Sequence, residues 1–147
     1  MPDESIGPYL SAVFFCEKIL DEKDGTLSAI RIVDQLVLVP SEVPSPDDKP
    51  FTVPINILVK FSSLGVEGTR ELALTMKSPV GKETELLKYP IIFQPEYPGF
   101  NFKLALNMGV KDEGVYWLRV LLDAQLFTQI PLTVVFQPKG SGSSETS

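Results

Sequence analysis

The sequence predicts an all-β protein, a two-layer antiparallel Greek-key sandwich of about eight strands, immunoglobulin-like in type. Apolar residues recur at period two in run after run, and no segment sustains the 3.6-residue period of a helix beyond a turn or so. Thirteen prolines interrupt the chain, and clusters of turn-forming residues separate the runs. Asp112, Gly114 and Tyr116 in KDEGVYWL narrow the class further. Asp-x-Gly-x-Tyr entering a strand matches the tyrosine corner of immunoglobulin-like sandwiches, in which the phenol bonds back to nearby backbone. Leu118 stands where antibody domains carry their second cysteine, so an apolar contact between the sheets is expected there.

Taken in order, Tyr9–Leu20 and Leu27–Val39 form a hairpin closed by DEKDG (Asp21–Gly25), whose Asp-Gly supplies the left-handed residue. FFCEKIL and AIRIVDQLVLV carry apolar residues on both parities, so these strands are expected to lie centrally or beneath a partner. VPSEVPSPDDKP (Val39–Pro50) is a proline-rich exposed connection. Val53, Ile55, Ile57, Val59 and Phe61 then share one face, opposite Asn56 and Lys60. Leu72, Leu74 and Met76 alternate with Glu71, Ala73, Thr75 and Lys77, and Leu86–Phe93 follows. Phe100, Phe102, Leu104, Leu106 and Met108 alternate with Asn101, Lys103, Ala105 and Asn107, the cleanest strand in the chain. Val115–Leu122 and Leu126–Phe136 close the domain as a second hairpin. The domain is expected to span 1–139, with Gly140–Ser147 a disordered tail because it has no apolar residue.

At 147 residues the chain suits one domain with a real core, and 44% hydrophobic with 22% charged residues is globular composition. A net charge of -6 with Lys and Arg scattered argues against nucleic-acid and membrane-surface partners. YLSAVFFC is too short to span a bilayer and ends in Glu17 and Lys18; Met1–Ser5 is acidic where a signal peptide is basic. The one cysteine, Cys16, has no partner for an internal disulfide, which fits a reducing compartment. A cytoplasmic protein of bacterial or phage origin is expected.

Histidine is absent, which removes Ser-His-Asp and Cys-His catalysis, histidine bases and histidine metal ligands together. A lone cysteine also rules out a cysteine-rich zinc site within one chain. Gly7, Gly65, Gly68, Gly81 and Gly99 are isolated turn residues, not a phosphate loop. No cofactor is expected. Asp21, Glu22 and Asp24 could attract calcium, but they lack the spaced ligands and closing glutamate of a helix–loop–helix site, and a solvated turn is the cheaper reading. Asp47 and Asp48 are weaker candidates still. Cys16 reads as a buried, inert thiol. Hairpin parity that puts Phe14 and Cys16 on the face of Ile30 and Ile32 brings Glu17 opposite or diagonal to Arg31, as a cross-strand ion pair.

FFCEKILDEKDGTLSAIRIVDQL near the start and EGVYWLRVLLDAQLFTQIPLTVVFQP near the end resemble a family of small bacterial β-sandwich proteins of unknown function. Its members open with an apolar strand ending in Cys-Glu, an Asp-Gly turn and a strand like LSAIRIVD. They close with a Gly-x-Tyr strand and a hairpin into an IPL-type strand. The resemblance covers both ends, about a third of the chain, and departs at Ala124, where glycine more often follows the aspartate. It implies a β-sandwich and carries no activity.

The closing hairpin supplies the functional candidate. Pairing Leu122 with Leu126 turns Tyr116, Leu118, Val120, Ile130, Leu132 and Val134 inward together. The other face then carries Val115, Trp117, Leu121, Phe127, Pro131 and Val135, with Arg119 and Gln129 among them. Aromatic residues and arginine amid apolar neighbours is interface-like composition. Val115, Trp117, Arg119, Leu121, Phe127, Gln129 and Pro131 are therefore the candidate interface. Leaving Trp117, Leu121 and Phe127 in water would forgo roughly 1.5–3 kcal/mol each, so a cover is expected, either another part of the chain or a second subunit. The function expected is a non-enzymatic protein-interaction or structural module, with a protein partner or a homodimer. The alternatives are a small-ligand or carbohydrate binder using Trp117, Tyr89 and Tyr97, and, with least support, a carboxylate-dependent enzyme, since no close acidic pair lies outside turns.

Overall fold

Nine β-strands follow one another in the computed structural model, which describes residues 7–39, 51–63 and 66–137. The acidic N-terminus, nearly all of the proline-rich connection with Asp47 and Asp48, and the Gly140–Ser147 tail lie outside the described residues. The strands are β1 (Tyr9–Asp21), β2 (Leu27–Val33), β3 (Gln35–Leu38), β4 (Phe51–Ser62), β5 (Gly68–Lys77), β6 (Glu83–Phe93), β7 (Gly99–Val110), β8 (Gly114–Leu122) and β9 (Gln125–Phe136). One sheet has the order β2-β1-β4-β7 and the other β3-β9-β8-β5-β6. Every pairing is antiparallel except β3 with β9. The chain changes sheets between β2 and β3, between β3 and β4, between β4 and β5, between β6 and β7, and between β7 and β8. This is Greek-key wiring, and with β1, β4 and β7 as A, B and E against β6, β5, β8 and β9 as C′, C, F and G it is the immunoglobulin-like arrangement.

The core forms where the two period-two faces meet. β4 contributes Ile57, Val59 and Phe61, and the facing sheet contributes Leu72, Leu74, Leu118, Val120 and Leu132, all fully enclosed. Phe61 sits edge-on to Phe93 at 6.0 Å, a favoured aromatic geometry. Tyr116 closes the corner as its sequence context predicts: its phenol donates to the Asp112 carbonyl at 2.6 Å and accepts from the Asp112 N–H at 3.2 Å. Gly114 has φ +136°, and a Cβ there would lie 2.9 Å from Cβ of Pro79. The glycine of the motif thus serves both the backbone and the close approach of the β5–β6 turn.

The Leu27–Val39 run departs from expectation. It is two strands, not one, and neither is central. β2 ends at Val33, and β3 begins at Gln35 on the opposite sheet, its entry held by the Thr133 N–H on the Asp34 carbonyl at 3.1 Å. Apolar residues fall on both parities because the run serves two sheets in turn. β2 is an edge, and Ile30 and Ile32 are 40% and 61% exposed. The β1–β2 register is the expected one: Cys16 stands opposite Ile32, and Glu17 accepts from Arg31 Nε at 2.8 Å.

β1 pairs with β4 only as far as Cys16 opposite Asn56. Beyond that point Asn56 Nδ2 donates to the Glu17 carbonyl at 2.8 Å, and Lys103 Nζ of β7 reaches Asp21 at 2.8 Å. Lys103 stands opposite Leu58 on β4, so the hairpin tip folds across the outer face of this sheet. Cys16 and Leu58, which parity assigns to that face, are buried at 0% and 6% exposure.

Tyr116→Phe removes one buried hydrogen-bonding hydroxyl and is expected to lower stability by about 0.5–1.5 kcal/mol. A lower urea midpoint at unchanged slope is the readout; an unchanged midpoint would mean the corner contributes nothing.

Candidate interaction face around Trp117

The β8–β9 hairpin turns on two residues, Asp123 and Ala124, with φ of 52° and 67°. Two positive-φ residues define the type I′ turn whose twist suits a hairpin, and for alanine that conformation costs about 1–2 kcal/mol. Asp123 holds the turn in place. Its N–H donates to the Glu71 carbonyl at 2.8 Å, and its Oδ1 accepts from the Glu71 N–H at 2.9 Å. Arg70 Nε lies 3.7 Å from Oδ2 of the same carboxylate.

Leu122 therefore pairs with Gln125, not with Leu126, and Leu121 pairs with Leu126. A register shift follows, and from Val120 opposite Thr128 to Gly114 opposite Val134 the facing is the one expected from sequence. The shift is a bulge at Phe127, and it corrects the candidate interface at one position. Phe127 packs its ring edge-on against core Phe61 at 5.8 Å, so it belongs to the inside of the sandwich. Leu126 takes the outward place and is 42% exposed.

The other candidates lie on the outer face, as expected. Val115, Arg119 and Leu121 are half-buried there, and Gln129 and Pro131 are exposed. Trp117 stands between Lys77 of β5 and Pro131 of β9 and keeps 36% of its surface exposed. Val37, opposite Val135 and itself exposed, extends the apolar face through β3. Arg119 is less available than the sequence suggests. Its NH1 donates to Glu83 Oε2 at 2.8 Å, and Thr75 Oγ1 donates to the same oxygen at 3.1 Å. These bonds, Arg119 first, hold the Glu83 carboxyl below the ordinary glutamate range.

Beside Trp117 lies a groove of about 500 Å³ lined by Lys77, Ser78, Pro79, Val80, Gly81 and Val115. Its rim is the β5–β6 turn. The Gly81 N–H donates to the Ser78 carbonyl at 2.9 Å, and Ser78 N–H to the Lys82 carbonyl at 2.8 Å. Gly81 has φ +92°, the residue that lets a Pro79–Val80 tip close. Sequence reasoning missed this rim: SPVG reads as a turn, but nothing in the sequence says that β5 lies beside β8 and so brings the turn to Trp117.

Tyr89 and Tyr97 do not join Trp117. Both are exposed, but Tyr89 pairs opposite Leu72 and packs on Phe102 at 5.9 Å, whereas Trp117 stands opposite Lys77. Five positions of strand separate the two, about 16 Å at strand rise. The carboxylates of the acidic turn diverge: Asp21 binds Lys103, Glu22 accepts from Ser28 at 2.6 Å, and Asp24 Oδ1 accepts from Thr26 Oγ1 at 2.7 Å. The Thr26 hydroxyl and N–H hold Asp24 below the usual aspartate range. Among the described residues no three Asp, Glu, Cys or His side chains are grouped to hold a metal ion. Burial pushes the Cys16 thiol up, partly offset by the Lys18 backbone, which is the direction of an unreactive sulfur. Among the described residues no helix is long and apolar enough to cross a membrane.

No family model and no curated protein matches the chain. Among solved structures, the β-glucosidase of Listeria innocua in complex with glucose is similar over 84% of this chain at 9% identity and a TM-score of 0.47. The chain spans only 16% of that enzyme's length. An immunoglobulin-like protein from Pseudomonas aeruginosa is similar over 90% of this chain and 99% of its own, at 12% identity and a TM-score of 0.41. The fold assignment rests on the strand order and the tyrosine corner.

Phe127→Glu and Trp117→Glu should behave oppositely. The first places a carboxylate against Phe61 and is expected to cost about 3 kcal/mol or more; the second is expected to stay within about 1 kcal/mol of the parent. Thermal melts of the two variants check the bulge directly, and equal losses would place Phe127 outside.

Glu83 should titrate below ordinary glutamates in a carbon-detected NMR titration, and Arg119→Gln should return it toward the usual range. Because the folded-state value is the lower one, its contribution to stability is present above the unfolded value and fades as pH falls through the folded one.

Proposed function

We propose that this protein is a non-enzymatic binding module whose working surface is the outer face of the five-stranded sheet, centred on Trp117, with a protein as its partner. One observation carries the reading. The only tryptophan in the sequence sits at the middle strand of its sheet and is still 36% exposed, with Val115 beside it on β8, Pro131 opposite it on β9 and Leu121 farther along the same face. A tryptophan among flat apolar neighbours is the side chain whose burial most often dominates an interface. The Arg119–Glu83 pair adds support, because it neutralises the charge that follows the indole on the outer face of β8.

Affinity capture from native cell extract on the full-length protein, followed by titration of the purified captured partner, tests this. Trp117 emission should shift blue on binding, and Trp117→Ala should weaken affinity about thirtyfold, the scale of a hot-spot residue. Ile32→Ala, on the other sheet, should leave it unchanged. A partner whose affinity ignores Trp117→Ala would overturn the reading.

The groove beside the indole supports a second reading, a small polar or carbohydrate ligand held between Trp117, Lys77 and Ser78. Trp117 quenching by a soluble glycan, lost in Val80→Trp through filling of the groove, would favour it over a protein partner.

A further inference from the structure

We propose that β7 is a docking edge that pairs antiparallel with β7 of a second copy of this chain, joining the two four-stranded sheets into one. The two sheets have four edges, and three of them carry devices that discourage pairing. β2 is kinked by Arg31 at φ 57°. β3 has only four residues. β6 is interrupted by a register shift near Leu86, contains Pro90, and bears Glu83, Glu85 and Lys88. β7 has none of these. It runs for 12 residues without proline and pairs with β4 from Val110 to Gly99 with no shift of register. Its other side has no partner strand among the described residues.

Its side chains also fit a copy of themselves. Facing residues on antiparallel strands must share parity for apolar faces to match. A two-fold axis at Leu104 does this: Leu104 meets Leu104, Phe102 meets Leu106, and Phe100 meets Met108 on the inner face. On the outer face Asn101 meets Asn107 and Lys103 meets Ala105. No like charges stand opposite one another, although the whole chain carries -6. Lys103, the only charged residue of β7, is already bound by both carboxylate oxygens of Asp21. The half-buried Phe102, Leu104 and Leu106, left at the open side of the sandwich, would be covered by the added strand.

Size-exclusion chromatography with light scattering on the full chain should give twice the 16.2 kDa of one copy, falling to one copy on dilution. Asn101→Lys with Asn107→Lys sets like charges opposite each other at both ends of the pairing. It should raise the dimer dissociation constant about tenfold, with recovery at high salt. Asn101→Lys with Asn107→Glu changes the same exposed positions but sets opposite charges together, and should keep the dimer. A parent monomeric up to its solubility limit would overturn the proposal. So would a dimer indifferent to both variants, or one abolished by Trp117→Glu, which would move the self-interface to the other sheet and leave the partner-binding reading of Trp117 to be judged by its own titration.

Discussion

The inward row of β8 is the constraint on which the rest of the structure depends. Tyr116, Leu118, Val120 and Leu122 are each 3% exposed or less, and their strand lies between β5 and β9. Leu74 and Met76 on one side and Ile130 and Leu132 on the other take their facing from it through direct pairing. A slip of one residue would turn the whole row to solvent, at roughly 1.5–3 kcal/mol for each large side chain. The Tyr116 phenol on Asp112 fixes where the row starts, and Asp123 on Glu71 fixes where it ends. With both ends pinned, Val115, Trp117, Arg119 and Leu121 have no choice of side. The exposed indole follows from the register of the core.

Each large apolar residue of the closing hairpin is accommodated differently on that frame. The Asp123–Ala124 turn is one residue shorter than the loop that equal parity along the whole hairpin would need, and the bulge restores parity by turning Phe127 inward. Leu121 is half-covered within the sheet, and Trp117 is shielded only at its margins by Lys77, Pro131 and the turn at Pro79. The other sheet manages its outer face by another route, folding the β1–β2 hairpin over Cys16 and Leu58 and fastening it with Asp21 on Lys103. One face receives an internal cover, and the other keeps its central aromatic open.

The period-two runs, the tyrosine corner, the Glu17–Arg31 pair and the outward facing of Trp117 were all legible in the sequence. Each follows from local alternation, or from a motif shorter than ten residues. What stayed illegible depends on partners far along the chain. Phe127 was misplaced because a two-residue turn with alanine at positive φ is disfavoured, and only the Asp123–Glu71 contact, between residues 52 apart, makes it hold. The split at Asp34 was hidden because mixed parity reads the same whether a strand is buried on both sides or serves two sheets. Pro79 and Val80 could not be assigned to the candidate face before the β5–β8 pairing was known.

Edge protection and face exposure bear on one another through the sheet assignments. β7 borders the four-stranded sheet, whereas Trp117 is central in the five-stranded one. Pairing at β7 extends its sheet in plane and leaves the other sheet's outer face uncovered. A dimer built through β7 would thus present two Trp117 faces, related by the two-fold axis and both free. Two weak contacts on one rigid body gain avidity by raising effective concentration, provided the partner can reach both. In such a dimer edge and face would serve one architecture: the edge would set how many faces are presented, and the register of β8 sets which side chains each face carries.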